Sequence, residues 1–92
     1  MNQDELIAAE DLCTHYHIEY SFISSLHGSG LIHITSVDSA AYVHPEEIGK
    51  IEKFIRLHYD LDINLEGIET IHYLLERMEQ LQHEVQRLKN RT

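Results

Sequence analysis

The chain of 92 residues has no lysine or arginine among its first 49 positions, although the same stretch carries eight aspartates and glutamates. All seven cations lie after residue 49, together with the other eight acids, so the net charge of −9 arises almost entirely from the first half. Such a surface repels phosphate and attracts basic molecules. Simple solubilisation is the alternative explanation, but it does not require the complete absence of cations over 49 residues.

Cysteine is almost absent as well. The single residue, Cys13, excludes an intramolecular disulfide and fits a reducing compartment. It stands between Leu12 and Thr14 in a helix-like stretch, where a small core residue is a better interpretation than a nucleophile. A long apolar run and a signal-peptide pattern are also missing, so we expect a soluble, cytoplasmic protein that does not enter a membrane.

Patterns that carry catalysis or bind metal are missing too. We find no glycine-rich phosphate loop and no Ser/His/Asp order, so we predict that the protein is not an enzyme and uses no cofactor. Eight histidines suggest a metal site, but no His-x3-His pair occurs and one cysteine cannot complete a thiolate zinc site. His15 and His17 come closest, at a spacing that suits a helix poorly. We interpret the histidines as scattered surface residues.

The apolar spacing predicts a mainly α fold that opens with a helix-turn-helix. A first helix is expected from about Ala9 to His15 and a second from about Glu19 to His27. Gly28-Ser29-Gly30 ends the second helix, because glycine readily takes the left-handed conformation that closes a helix. The inward side chains of the second helix are expected to be Phe22, Ile23 and Leu26, and the outward ones Ser21, Ser24 and Ser25.

A β-hairpin, the wing, is predicted next. Ile32 and Ile34 alternate with polar neighbours in a first strand, residues 36–39 form a turn, and residues 41–43 return. The residues that precede Ala9 fit either a strand or the start of the first helix.

A third helix is expected to begin at Pro45, whose fixed φ suits a first helical turn, and to continue to about Tyr59. Its predicted inward side chains are Ile48, Ile51 and Ile55. The ion pairs expected to support it, four residues apart, are Glu46–Lys50 and Glu52–Arg56.

The last helix is predicted from the N-cap Asn64 to about Arg91, with Gly67 where a glutamate would complete a capping box. Its apolar residues recur at alternating steps of three and four, which is the a/d pattern of a coiled coil. These residues are Ile71, Leu74, Met78, Leu81, Val85 and Leu88. A lone helix with a wet apolar face is marginal, so the a/d positions need a partner. That partner is either the chain's own core or a second copy, and we expect a homodimer.

The fold class expected from these elements is a mainly α winged helix-turn-helix with a short β-hairpin wing and a C-terminal coiled-coil helix. Residues 1–63 form the winged part and residues 64–92 the dimerisation helix, within one compact unit.

A winged helix-turn-helix normally suggests DNA binding, which needs cations to neutralise phosphates. The presumptive recognition helix, residues 19–27, has no lysine or arginine, and the wing offers His33, Thr35 and Asp38. No arginine is available there for a bidentate contact with guanine. Charge acts directly on the contact with DNA phosphates, whereas the fold suggests DNA only by analogy with other proteins. We therefore do not expect direct DNA binding.

The order of these elements, together with several short stretches, resembles the MerR superfamily. The stretches are Gly30-Leu31-Ile32, Tyr42-x-x-Pro45-Glu46-Glu47-Ile48, Phe54-Ile55-Arg56 and Asp62-Ile63-Asn64-Leu65-Glu66-Gly67-Ile68. Within that superfamily the chain is most similar to the CbpM-type chaperone-modulator family. The stretches that carry this closer resemblance are Glu10-Asp11-Leu12-Cys13-Thr14-His15, Arg56-Leu57-His58-Tyr59-Asp60-Leu61 and the opening of the last helix from Asn64 to Ile68. Together they span about residues 6–91.

The resemblance implies a binding protein. CbpM-type proteins bind the J-domain of a DnaJ-like co-chaperone, CbpA, and block its stimulation of DnaK. A J-domain presents a basic helix, so an acidic inhibitor is physically reasonable. From charge and position we predict the partner contacts to be Glu10, Asp11, Glu19, Glu46 and Glu47. The alternative that the superfamily implies is a DNA-binding transcriptional regulator.

Overall fold

A computed structural model describes residues 5–91 and shows a mainly α fold with a small three-stranded antiparallel sheet. The elements in chain order are β1 (Ile7–Ala8), α1 (Ala9–Tyr16), α2 (Tyr20–Gly28), β2 (Thr35–Val37), β3 (Ala40–Val43), α3 (Ile48–Ile55) and α4 (Leu65–Asn90). A 3₁₀ turn, Pro45–Glu47, precedes α3, and a π-helical turn, Arg56–Asp60, follows it. The expected winged helix-turn-helix architecture is therefore confirmed.

The helix-turn-helix lies within one residue of its predicted bounds at each end. Phe22, Ile23 and Leu26 of α2 are buried, as their spacing predicts, and the serines of this helix are exposed. Ile18 in the connection is also buried, so it anchors the turn to the core. Two short helices can be held at a fixed angle in this way because their facing apolar stripes share one core.

Both helices of this motif end in a left-handed residue. In α2 the residue is Gly30, at φ 78°, and Leu31 N–H donates to Leu26 O at 2.9 Å. In α1 the same position is filled by His17 at φ 58°, and Ile18 N–H donates to Cys13 O at 3.0 Å. These bonds satisfy carbonyls at the helix ends. Only glycine adopts that conformation without steric cost, so the turn after α1 is strained at His17.

The wing is shorter than predicted. Its first strand begins at Thr35 rather than near Ile32, because Ile32 is buried in the core directly after α2. Asp38 and Ser39 alone form the turn, both with positive φ, as a two-residue hairpin requires. The alternation of Ile32 and Ile34 therefore reflects core packing and not a strand.

The residues before α1 form a strand. Ile7 and Ala8 pair antiparallel with Val43 and Tyr42, so β3 lies in the centre of the sheet between β1 and β2. The pairing of β1 with β3 therefore joins the start of the described chain to the wing.

The third helix departs from the prediction in three respects. It is divided into the 3₁₀ turn, α3 and the π-helical turn, where a single helix was expected. Its most deeply buried side chains are Ile51 and Phe54, whereas Ile48 and Ile55 are only half-buried. The expected pairs are wrong as well: Glu52 accepts a hydrogen bond from Tyr16, and Lys50 lies 3.6 Å from Glu47 rather than from Glu46.

One core joins all the parts. Its buried apolar members are Ala9, Leu12, Ile18, Phe22, Ile23, Leu26, Leu31, Ile32, Val43, Ile51, Phe54 and Ile68. Cys13 is half-buried and packs against this core. Burial raises the pKa of its thiol and the charge of Glu10 raises it further, which favours the neutral thiol over the nucleophilic thiolate.

The start of α4 follows the predicted cap. The Oδ1 atom of Asn64 accepts a hydrogen bond from Gly67 N–H at 2.8 Å. A Cβ added to Gly67 would lie 2.6 Å from Ile63 Cγ2, so close packing excludes the glutamate of a complete capping box. Gly67 therefore lets the connector, residues 61–63 between the π-helical turn and the cap, pack tightly against the first turn of α4.

We expect Gly67→Ala to lower the free energy of unfolding by about 1 kcal/mol or more, because the methyl group overlaps Ile63. Gly49→Ala in α3 is the control, since its Cβ would meet nothing within 4 Å. That variant is expected to gain about 0.5–1 kcal/mol from helix propensity. Urea denaturation measures both, and equal stabilisation of the two variants would contradict the packing argument.

Candidate protein-binding surfaces

Two surfaces of the chain lack a partner within the described residues: the apolar stripe of α4 and the acidic face of the helix-turn-helix. The stripe, here called the seam, consists of the a/d residues Ile71, Leu74, Met78, Leu81, Val85 and Leu88. Ile71 is half-buried at the junction with the core, and the other five are between 48% and 58% exposed. Exposed leucines in a regular row are a hallmark of an interaction surface.

The geometry of α4 explains this exposure. Its 26 residues extend for about 39 Å, but only Ile68, in the first turn, is buried. From Tyr73 onward every described residue of the helix is exposed. The interpretation in which the seam folds back on the chain's own core is therefore wrong, because the body (residues 5–63) reaches only the first two turns.

The predicted contact acids divide into two groups. Glu10 and Asp11 lie in the first turn of α1, Glu19 is at the N-cap position of α2 without a capping hydrogen bond from its side chain, and Glu46 lies in the 3₁₀ turn; all four are exposed. Glu47, by contrast, is only 8% exposed. A side chain with so little surface has a role inside the chain.

The carboxylate of Glu47 connects the wing to α3. Its Oε1 atom accepts a hydrogen bond from His33 N–H at 3.0 Å, and its Oε2 atom lies 3.6 Å from Lys50 Nζ. The bond satisfies a backbone donor in the segment between α2 and β2, where no strand partner is present. Sequence spacing alone cannot distinguish this residue from exposed Glu46, because both follow Pro45 in one turn.

A cleft that the sequence did not indicate opens beside Glu19. This α2 cleft, as we name it, encloses about 260 Å³ and is lined by Glu19, Ser21, Phe22, Ser25, His58, Tyr59 and Leu65. It is formed where the π-helical turn brings Tyr59 against α2. Tyr59 Oη accepts a hydrogen bond from Glu19 N–H at 3.3 Å, so the two side chains lie at one rim.

Aromatic rings form the floor and one wall of the α2 cleft. The rings of Phe22 and His58 are stacked with centroids 4.7 Å apart, and the Tyr59 ring meets Phe22 edge-on at 5.4 Å. His58 Nδ1 lies 2.9 Å from Ile63 O, which holds the imidazole against the connector. The signal missing from the sequence is the change from α- to π-helical winding, which rotates Tyr59 relative to α3.

A partly buried hydrogen bond connects α1 to α3. Tyr16 Oη donates to Glu52 Oε2 at 2.6 Å. This bond to Glu52, together with desolvation and the negative charge of the carboxylate, raises the pKa of Tyr16. The phenol therefore remains a donor at neutral pH and keeps Glu52 occupied within the chain.

The exposed face of α2 supplies no cation. Lys50 and Lys53 are half-buried on α3, and Arg56 is exposed in the π-helical turn. The other cations lie on α4 and just after it, at Arg77 and beyond. No basic patch therefore accompanies α2 or the wing in the part of the chain that the structure describes.

Residues 5–91 contain neither a metal-binding cluster nor a membrane-spanning helix. No group of three or more histidine, cysteine or acidic side chains is close enough there to hold a metal ion. None of the helices in this range has the length and apolarity that crossing a membrane requires.

The arrangement defines a winged helix-turn-helix protein with a long, unpaired C-terminal helix. The sequence model of the MerR HTH family of regulatory proteins matches residues 7–90, and the chain belongs to this family. No curated protein and no solved structure matches the chain. The resemblance to the MerR superfamily is thus confirmed, and the closer resemblance to chaperone modulators stays a prediction.

The different roles of Glu46 and Glu47 can be measured. Glu47→Ala is expected to lower the free energy of unfolding by about 1–3 kcal/mol, because His33 N–H loses its partner. Glu46→Ala, one residue away and exposed, is the control and should stay within about 0.5 kcal/mol of the parent. If thermal or urea denaturation showed that the two variants lose equal stability, the role of Glu47 in holding the wing would be contradicted.

Proposed function

We propose that the protein is a non-enzymatic modulator that binds the J-domain of a DnaJ- or CbpA-type co-chaperone and inhibits its stimulation of DnaK. The observation that carries this proposal is the acidic surface of the first 49 residues, which contain no lysine or arginine. Glu10, Asp11, Glu19 and Glu46 are exposed on that surface. The basic helix of a J-domain has the opposite charge, and such complementarity accelerates encounter and selects the partner.

The proposed mechanism is competition for the basic surface of the J-domain. An acidic protein that covers this surface prevents its contact with DnaK. No chemical step is involved, and the cytoplasm is the compartment in which such a partner works. Because the attraction is electrostatic, the affinity should fall as salt increases.

We propose in addition that the protein forms a homodimer through the seam of α4. Burial of each seam side chain contributes about 1.5–3 kcal/mol, which is sufficient to hold two copies of a small chain together. Glu84 and Lys89 fall at g and e positions of the heptad, where opposite charges support a partner helix. The seam leaves the acidic face uncovered, so the dimer can engage its partner.

The triple variant Glu10→Lys, Asp11→Lys and Glu19→Lys is expected to weaken the complex with a J-domain from the same genome by about tenfold or more. Calorimetric titration at low and moderate salt measures the change. The control triple variant reverses Glu69, Glu76 and Glu79 of α4, which lie at the outward f and b positions. It alters the net charge equally, so an equal loss of affinity would show that only total charge matters.

A wild-type protein that fails to bind the J-domain at either salt concentration would exclude the proposed function. Membership of the MerR HTH family favours a DNA-binding regulator as the second candidate. An electrophoretic mobility assay with genomic fragments, at low salt, tests that candidate directly. The absence of lysine and arginine from α2 and the wing argues for a negative result.

Leu81→Glu is expected to convert the dimer to a monomer, because it places a charge in the middle of the seam. His83→Glu introduces the same side chain at an outward f position two residues away and should leave the dimer intact. Sedimentation equilibrium distinguishes the two states. A dimer that survives Leu81→Glu would move the interface away from the seam.

A further inference from the structure

We propose that the α2 cleft receives one lysine or arginine side chain of the basic partner and is the specificity pocket of the acidic surface. This inference rests on the proposed function and adds the place at which a single cation is recognised. The carrying observation is that Glu19, whose carboxylate forms no ion pair within the described residues, shares one cavity with the aromatic wall of Phe22 and Tyr59.

The size of the cavity limits the occupant. About 260 Å³ is below the range of about 300–1,000 Å³ that holds drug-sized ligands. The space is instead suited to one long side chain that enters from a surface resting on α2. A helix or strand of the partner would lie across the mouth and insert a single residue.

The lining matches a long cationic side chain along its whole length. Phe22 and Leu65 offer apolar surface to the aliphatic stem of a lysine or arginine. Tyr59 is 43% exposed, so its aromatic ring can be reached by the cationic head. Glu19 at the rim supplies the opposite charge. An acidic or short polar side chain would gain neither contact.

The carboxylate of Glu19 is available for this role. Its contact within the described residues is a hydrogen bond from Ser21 Oγ to Oε1 at 3.3 Å, and no ion pair with it is formed there. The backbone N–H of Glu19 is held by Tyr59, which fixes the position of the residue at the rim. Glu47 differs in this respect, because it is committed to Lys50 and His33.

The test is a double-mutant cycle between Glu19→Gln in the full chain and J-domain variants in which each surface lysine or arginine is replaced in turn by glutamine. Calorimetry supplies the affinities. We expect Glu19→Gln to weaken binding by about tenfold, and one basic position of the J-domain to show a coupling on the order of fivefold. At every other basic position of the J-domain, the effect of the substitution should simply add to that of Glu19→Gln. Glu79→Gln in α4 is the charge-matched control and should change affinity by less than about twofold.

A second measurement separates the ring from the hydroxyl of Tyr59. Tyr59→Phe keeps the aromatic ring but removes the acceptor of the Glu19 N–H bond, so it should lose less affinity than Tyr59→Leu, which removes both and should reduce the affinity about fivefold. Circular dichroism confirms that each variant is folded.

The outcomes separate the two proposals. If the wild-type protein binds the J-domain but every cycle with Glu19→Gln is additive, the cleft proposal is overturned and the J-domain proposal stands. If the wild-type protein does not bind the J-domain at low or moderate salt, both are overturned.

Discussion

The packing of the first turns of α4 against the body is the constraint on which the rest of the structure depends. Ile68 is fully buried in the common core, and Phe54 meets His72 edge-on one turn later at 5.6 Å. These contacts, with the Asn64 cap, fix the direction in which the helix leaves the body. Beyond them the body is too small to reach the helix, so the seam is presented outward. A core of this size can cover about two turns of a seven-turn helix and no more.

The same division separates the two kinds of surface. Exposed apolar side chains form a regular row on α4, whereas the helix-turn-helix carries exposed carboxylates and no lysine or arginine. In the proposed function, association through the seam is driven by burial of apolar surface and has no preferred direction, whereas the acidic face attracts its partner over a distance that salt shortens. Because these forces differ, the proposed self-association and the proposed partner binding can vary independently. Glu47 and Glu52 show that not every acid belongs to the exposed face, because each is used to join elements of the body.

The parts of the fold that follow from local periodicity could be predicted from the sequence. Phe22, Ile23 and Leu26, the Asn64 cap and the a/d row of α4 all obey spacing rules that act within one element. The predictions were wrong where tertiary contacts, and not local spacing, determine the structure. Ile32 alternates like a strand residue but is drawn into the core. The π-helical turn after Ile55 changes the winding of a segment whose sequence looks like regular helix. The α2 cleft depends on this turn, so the sequence did not predict it.

The fold of this chain suggests DNA as the partner, whereas its charge suggests a basic protein. Charge is the stronger argument, because it acts directly in the contact with the partner. A helix-turn-helix binds DNA only if its cations replace the counterions of the phosphates, which supply most of the affinity. The first 49 residues contain no lysine or arginine to do so, and dimerisation through α4 would double the opposing charge. The same doubling strengthens attraction for a basic protein surface. In the proposed function the shape of the motif is thus retained while its electrostatics favour a protein partner, and the cleft between α2 and Tyr59 is the proposed place for one cation of that partner.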